Sequence, residues 1–143
     1  MATERTASVV WQGDLLNGSG TIDKVGSGAL GPLDVTWASR SEEPNGRTSP
    51  EELIAAAWAS CFAMALSNGL AKAGTPPEKL ETSATVTFQP GEGITHAALT
   101  VRGTVAGLDA DGFRAAAEDA KQNCPVSMAL SGIPDVTLEA QLA

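Results

Sequence analysis

Two cysteines, Cys61 and Cys124, are the residues of this 143-residue sequence whose type could support covalent chemistry. They form no Cys-x-x-Cys pair, and together with the single histidine, His96, they are too few for a usual zinc site. Free cysteine is also among the most buried residue types, so two inert core thiols are the plain alternative. The sequence alone leaves reactive and inert thiols both open.

Cys61 lies deep in an apolar segment, where burial raises the pKa of a thiol and makes it unreactive. The start of its helix is about 16 Å away, too far for the helix dipole to activate it alone. Arg40 or Arg47 could supply the missing positive charge, and Glu51 could orient such an arginine. Glu51 and Cys61 would stand about 15 Å apart in one straight helix. A shared site therefore requires a broken helix or two chains.

Cys124 has a different setting, because Pro125 follows it directly. Proline disfavours helical geometry in the residue before it and is well suited to open a new helix. Cys124 is thus predicted at a cap position, where amide groups favour a thiolate. It follows Ala120 by four residues and Ala117 by seven, so it should point to the core side, towards Cys61. A small core residue at a cap would fit the same spacing.

The remaining candidates for chemistry are weaker. His96 falls in a predicted strand, which is more typical of a surface histidine than of a catalytic base. The glycines near residues 26–28 have no helix after them, as a phosphate-binding loop would. We interpret Trp11, Trp37 and Trp58 as core or interface anchors.

Composition predicts one folded domain over residues 1–143, since 43% of residues are hydrophobic and 18% are charged. Nine basic against 17 acidic residues give a net charge of −8, which disfavours nucleic acids and polybasic membrane contacts. The first residues show no signal-peptide pattern. The strongly apolar stretch 53–66 has 14 residues, whereas a membrane span needs about 20. We therefore expect a cytoplasmic protein that contacts no membrane.

Hydrophobic periodicity and turn residues predict an α+β fold with mostly antiparallel strands. A long helix should begin after the N-cap Ser49 and run to about Ala73. Asp109 should cap a second helix, and a short helix should follow Pro125. The expected strands are Ala7–Gln12, Thr21–Lys24, Leu33–Ala38, Glu81–Gln89, Ile94–Val105 and Val136–Leu142.

The long helix carries no charge over residues 53–66, and Ser60 is its only polar side chain there. A helix that is apolar all round is buried on all sides, and its many alanines keep it thin. We therefore expect it to pack against a second copy of itself in a homodimer. A monomer in which a sheet and the second helix cover it is the alternative.

Four segments together resemble the OsmC/Ohr family of osmotically inducible and organic hydroperoxide resistance proteins, and the resemblance covers essentially the whole chain. The family's two cysteine motifs are matched by Thr48–Phe62 and Asn123–Ser127, while Val10–Asp14 and Ala38–Arg40 fit as well. The hydroperoxide-resistance branch usually carries an arginine in the first strand region, which is absent here over residues 17–20. The position of Arg40 is more similar to the osmotically inducible branch.

The resemblance implies mostly antiparallel sheets that wrap long central helices in an intertwined homodimer, and thiol peroxidase activity. Cys61 would be the peroxidatic cysteine and Cys124 the resolving one, with Arg40 stabilising the Cys61 thiolate and Glu51 orienting Arg40. The substrate would be an organic hydroperoxide, and the reductant a dithiol, with lipoylated proteins as candidate partners. No metal or bound cofactor is expected.

Two other functions fit the residues less well. One is a non-catalytic stress or ligand-binding dimer in which the thiols are incidental. The other is acyl transfer by Cys61, which needs a general base, and His96 is the only obvious one.

Overall fold

A computed structural model describes all of residues 1–143. The chain divides into two compact units, Met1–Leu53 and Ile54–Ala143. The expected α+β class is confirmed, since helices and two separate sheets both form.

The first unit holds a three-stranded antiparallel sheet in the order β1 (Ala7–Gln12), β2 (Ser19–Val25) and β3 (Leu33–Val35). Gly20 on β2 permits a close approach, because a Cβ there would meet the Trp11 ring at 2.7 Å. Ile22 is the buried apolar residue of this sheet. All of β1 is exposed in the single chain.

The predicted strand Leu33–Ala38 is wrong beyond Val35, where a one-turn helix, α1 (Trp37–Ser41), begins. Thr36 caps α1 by accepting a hydrogen bond from the Ser39 amide, and the Ser39 hydroxyl accepts one from the Thr36 amide. This reciprocal capping outweighs the alternating pattern that suggested a longer strand. Ser39 also donates to the Thr48 carbonyl at 2.9 Å, which fixes the segment before the long helix.

The long helix α2 (Pro50–Lys72) starts where predicted, with the Glu52 amide donating to the Ser49 hydroxyl at 3.1 Å. It is unbroken over 23 residues. By length and composition alone it could cross a membrane, with a mean hydropathy of 1.5, a test that core helices of soluble proteins also pass. Only 22% of its most apolar window is buried within the single chain.

The second unit holds a sheet in the order β4 (Lys79–Gln89), β5 (Gly93–Thr104) and β6 (Asp135–Leu142). β4 and β5 form the predicted antiparallel hairpin, whereas β6 runs parallel to β5. The connection between β5 and β6 contains α3 (Ala110–Asn123) and α4 (Pro125–Ala129). Asp109 caps α3 as predicted, accepting from the Gly112 amide at 2.7 Å.

One hydrophobic core joins α2, α3 and the sheet of the second unit. Its largest fully buried side chains are Trp58, Phe62, Leu66, Leu70, Leu99 and Phe113. Gly103 lets the α3 aromatic ring lie on β5, since a Cβ there would clash with the Phe113 ring. Each large side chain contributes about 1.5–3 kcal/mol by burial, so this core determines where α2 and α3 meet.

Candidate active site

The thiols of Cys61 and Cys124 meet inside the second unit, with their Sγ atoms 2.9 Å apart. Both cysteines are free, Cys124 is fully buried and Cys61 is half-buried. The separation exceeds a disulfide bond of about 2.05 Å, so the pair is a contact between reduced thiols. The proximity predicted from the apolar stripe of α3 is therefore confirmed.

Cys61 is held by the packing of α2 on both sides of it. Trp58 and Phe62 are buried on the same helix, and the Thr82 hydroxyl of β4 donates to the Ala59 carbonyl at 3.0 Å. A hydrogen bond from a strand to the middle of a helix fixes the helix against sliding or rotating. The Cys61 sulfur is thereby presented from a rigid element.

Cys124 forms the junction between α3 and α4. Its amide donates to the Ala120 carbonyl at 2.9 Å and closes α3, while its carbonyl accepts from the Met128 amide at 3.0 Å. Pro125 opens α4 at the first helical position, as the sequence predicted. The backbone on both sides of the thiol is therefore fixed by hydrogen bonds.

The pKa values of the two thiols are shifted in opposite directions. Burial raises the pKa of Cys61, and the neighbouring Cys124 raises it further, against a smaller opposing contribution from the Val126 amide. Burial also acts to raise the pKa of Cys124, but hydrogen bonding with Cys61 and with Ser127 and Val126 lowers it overall. Because the two thiols are in direct contact, the loss of a proton from one changes the pKa of the other.

A hydrogen bond between Trp58 and Ser127 connects α2 to α4 beside the thiols. The Trp58 indole N–H donates to the Ser127 hydroxyl at 2.7 Å. Sequence reasoning treated Trp58 only as an anchor and missed Ser127. The available signal was positional, since Trp58 precedes Cys61 by three residues and Ser127 follows Cys124 by three.

A cavity of about 390 Å³ lies against this hydrogen bond. Its walls come from α2, the end of α3, α4, the segment that leads into β6 and the start of β6. The lining residues are Trp58, Lys121, Gln122, Ser127, Met128, Leu130, Ser131, Ile133 and Val136.

In the first unit, Arg40 and Glu51 form an ion pair. Arg40 Nη2 lies 2.8 Å from Glu51 Oε1, and Arg40 Nε donates to Oε1 at 2.9 Å and to Oε2 at 3.2 Å. The Glu51 side chain is buried, and that of Arg40 is one-third exposed. The sequence left two arginines open for Glu51, and the carboxylate pairs with Arg40, whereas Arg47 is exposed.

Glu51 and Cys61 lie on the same unbroken helix. Ten residues at 1.5 Å per residue separate them by about 15 Å along the axis. A break in α2 could have brought Glu51 and Cys61 of one chain closer together. No such break occurs, because α2 is one continuous helix.

His96 lies on β5 and pairs with Asp135 at the start of β6, with Nδ1 and Oδ2 2.8 Å apart. Its side chain is one-third exposed. The hydrogen bonds that set the acidities of the thiols come from Val126, Ser127 and the thiols themselves. The geometry therefore offers no support for His96 as the base of an acyl transfer.

Comparison with known proteins agrees with this geometry. A family model for OsmC-like proteins matches residues 43–139. Peroxiredoxin OsmC of Escherichia coli (strain K12) and Peroxiredoxin OsmC of Shigella flexneri are each 39% identical over 145 residues, which covers 99% of both chains.

Solved structures show the same fold. An organic hydroperoxide resistance protein OsmC from Legionella pneumophila is 27% identical, covering 95% of this chain and 96% of its own, with a TM-score of 0.70. The organic hydroperoxide resistance protein OhrB of Bacillus subtilis is 25% identical, covering 96% and 98%, with a TM-score of 0.64. With a family match over most of its length and relatives that align from end to end, the chain belongs to the OsmC-like protein family, on the side of its OsmC branch.

Proposed function

We propose that the protein is a thiol-dependent peroxidase that reduces organic hydroperoxides, and hydrogen peroxide more weakly, through a cycle of Cys61 and Cys124. The 2.9 Å contact between two free thiols is the observation that carries this function. The relatives support it by name, as a peroxiredoxin from Escherichia coli and an organic hydroperoxide resistance protein from Legionella pneumophila.

In the first step, the Cys61 thiolate attacks the peroxide oxygen distal to the organic group. The O–O bond breaks as the S–O bond forms, the leaving alkoxide takes a proton to become an alcohol, and Cys61 becomes a sulfenic acid. Trp58, Phe62 and Ala65 surround this position on α2 with apolar surface. Such surroundings favour an organic substituent over the bare hydrogen of hydrogen peroxide.

In the second step, the Cys124 thiolate attacks the Cys61 sulfur and displaces hydroxide, which becomes water with one proton. The sulfur atoms must approach by only about 0.9 Å to reach disulfide length. A dithiol then reduces the disulfide by exchange, and its own two thiols are oxidised to a disulfide. Lipoylated proteins carry such a dithiol, and we propose them as partners.

We propose that Arg40 is the cation that stabilises the Cys61 thiolate, and that Glu51 orients Arg40. Burial and Cys124 raise the pKa of Cys61, so a reactive thiolate needs a nearby cation. The buried carboxylate of Glu51 holds the Arg40 guanidinium through several short contacts, which leaves its position well defined. Arg40 would also stabilise the charge that develops on the leaving oxygen.

We place Arg40 and Cys61 of one site on two different copies of the chain. The unbroken helix separates Glu51 from Cys61 by about 15 Å, so the ion pair reaches a thiol most directly across a dimer. The exposed apolar surface of α2 supports this arrangement, since Met64 is 72% exposed and Ala56 and Ala57, about two turns earlier on the helix, are also exposed. In this homodimer, each copy of the single domain 1–143 would supply Arg40 to one site and Cys61 to the other, and the apolar surface of α2 would be buried. A dimer without this exposed apolar surface is consistent with a cytoplasmic protein.

The kinetic test is stopped-flow oxidation of the reduced protein by cumene hydroperoxide and, separately, by hydrogen peroxide. We expect rapid oxidation that is faster with the organic peroxide. Oxidation at the rate of a free small-molecule thiol with both peroxides would contradict peroxidase function and favour the non-catalytic dimer with incidental thiols.

The two-chain arrangement can be tested separately by mixing subunits. Arg40→Gln chains and Cys61→Ser chains, co-expressed with different tags, are each expected to be nearly inactive alone. If Arg40 serves the thiol of the other copy, random pairing of the two should restore about one-quarter of wild-type activity through one intact site in each mixed dimer. Activity no higher than that of the parent variants would place Arg40 and Cys61 in the same chain.

A further inference from the structure

The Ser127 hydroxyl is hydrogen-bonded to Trp58 and lies in the first turn of α4, the helix that Cys124 precedes. Ser127 is the third residue of α4 and follows Cys124 by three residues, so the two lie on the same face of that turn. Its oxygen accepts the Trp58 indole N–H at 2.7 Å. Trp58 is only 1% exposed, and a buried indole N–H needs such a partner.

The hydrogen bond from Trp58 determines what the Ser127 proton can do. A hydroxyl has one proton to donate and two lone pairs, and the indole N–H occupies one lone pair. The proton therefore remains available for a second partner, and Cys124 precedes Ser127 by one turn. Both the hydroxyl and the amide of Ser127 act to lower the pKa of Cys124.

We propose that Ser127, held in place by Trp58, is a positioning residue that donates a hydrogen bond to the Cys124 thiolate and thereby promotes both making and breaking of the Cys61–Cys124 disulfide. This role rests on the two-cysteine cycle proposed above. It is distinct from Arg40, which acts on the other sulfur.

The hydrogen bond acts at both ends of the cycle. When the disulfide forms, the Cys124 thiolate supplies the electron pair and hydroxide leaves the Cys61 sulfur, ending as water. When a dithiol reduces the disulfide, its thiolate attacks the Cys61 sulfur, the S–S bond breaks, and Cys124 departs with the electron pair. A leaving thiol of lower pKa departs faster, so Ser127 promotes this second step as well.

Few charged groups compete with Ser127 for influence on Cys124. Cys61 faces it from α2, and α4 contributes no titratable side chain. On α3, Lys121 precedes Cys124 by one turn and pairs with Glu118 at 3.4 Å. The residues that β6 turns into the core are apolar, namely Val136, Leu138, Ala140 and Leu142.

The direct test is a pH titration of the Cys124 thiolate by its ultraviolet absorbance, in a Cys61→Ser background where Cys124 is the remaining thiol. The sequence contains no tyrosine, so no tyrosinate absorbance overlaps the signal. We expect Ser127→Ala to raise the titration midpoint and Ser127→Thr to restore it. Ser131→Ala, a serine on the wall of the same cavity, should leave it unchanged. Equal midpoints with and without the Ser127 hydroxyl would overturn the proposal.

A kinetic test in the two-cysteine protein separates this proposal from peroxidase function. Sulfenic acid formation should be unchanged in Ser127→Ala. At a pH below the Cys124 titration midpoint, disulfide formation should be slower by about threefold for each pH unit by which the substitution raises that midpoint. Above both midpoints the variant should be the faster protein, because its thiolate is more nucleophilic. Simple damage to the structure would not reverse the order of the two rates.

The outcomes are distinguishable. If the wild-type protein forms no sulfenic acid, the peroxidase function fails, while the thiolate titration still decides the Ser127–Cys124 contact. If sulfenic acid forms but Ser127→Ala matches the wild type at every pH, only the role of Ser127 fails.

Trp58→Phe keeps the aromatic packing and removes the indole N–H that holds Ser127. It should therefore raise the Cys124 titration midpoint by a smaller amount than Ser127→Ala does.

Discussion

The thiol pair and the ion pair are assembled by different kinds of folding. Cys61 and Cys124 are 63 residues apart in sequence and meet because the core of the second unit packs α2 against the end of α3. Arg40 and Glu51 are 11 residues apart, and local capping in the first unit brings them together. One pair therefore depends on long-range packing and the other on short-range hydrogen bonds.

The two pairs also differ in where they favour charge. Around the thiols, burial raises the pKa of Cys61, whereas hydrogen bonds outweigh burial and lower the pKa of Cys124. The ion pair presents a guanidinium that a buried carboxylate holds in place. In the proposed cycle, the Arg40 guanidinium would offset the raised pKa of Cys61. Variants that affect one region at a time should separate these contributions.

The largest expected effect is at the first thiol. Cys61→Ser should reduce peroxide consumption to background, because it removes the proposed attacking thiol and the remaining thiol, Cys124, is fully buried. Cys124→Ser should keep the first oxidation and then stop, with Cys61 trapped as a sulfenic acid. Peroxide consumption over the first and later turnovers separates the two variants, and a Cys61→Ser protein that keeps its activity would show that the thiols are incidental.

The next effect is at the ion pair. Arg40→Gln should slow Cys61 oxidation by about 100-fold at neutral pH, the scale for losing one preorganised group that stabilises transition-state charge. Removing a cation raises the pKa of the thiol, so the rate should recover partly as the pH rises. Arg47→Gln is the matched control, because Arg47 is exposed and does not pair with Glu51. Equal losses in both variants would argue against a specific role for Arg40.

A smaller effect should follow from disturbing the packing that brings the thiols together. Gly103→Ala places a Cβ where it would clash with the Phe113 ring and should lower the free energy of unfolding by about 1–3 kcal/mol. Gly132→Ala meets no atom within 4 Å and should change it little. Urea denaturation measures both. A tolerated Gly103→Ala would mean that α3 can move away from β5 at little cost.

The smallest effect is expected at the cap of α1. Thr36→Ala removes one side of the Thr36–Ser39 capping box and should lower local stability by about 1 kcal/mol. Cys61 oxidation should slow by less than in Arg40→Gln, while the thiolate titration of Cys124 stays unchanged. A shifted Cys124 titration would show that the two regions are coupled more tightly than their separate assembly suggests.

Local chemistry explains which features could be predicted from the sequence. The start of α2 follows from Ser49 and Pro50, and the core-facing direction of Cys124 follows from the stripe of α3 that ends there, because both depend on neighbouring residues. The α1 helix was missed because alternation at 33–38 resembles a strand and hides the Thr36–Ser39 cap. Alternation predicted β6 as a strand but carries no information on its direction.

Features that depend on distant residues could not be predicted. Trp58 and Ser127 are 69 residues apart, and each looks ordinary in its own segment. The choice of Arg40 over Arg47 depends on the path of the intervening loop, which turns through positive φ at Asn45 and Gly46. Spacing along the chain does not determine that path.

The central measurement is a single turnover of the reduced protein with one equivalent of cumene hydroperoxide, followed by peptide mapping with mass spectrometry. We expect one Cys61–Cys124 disulfide within one chain for each molecule of alcohol formed, with both thiols lost together. Alcohol formed while Cys61 remains a thiol, or a disulfide that joins two chains, would contradict the proposed two-cysteine cycle.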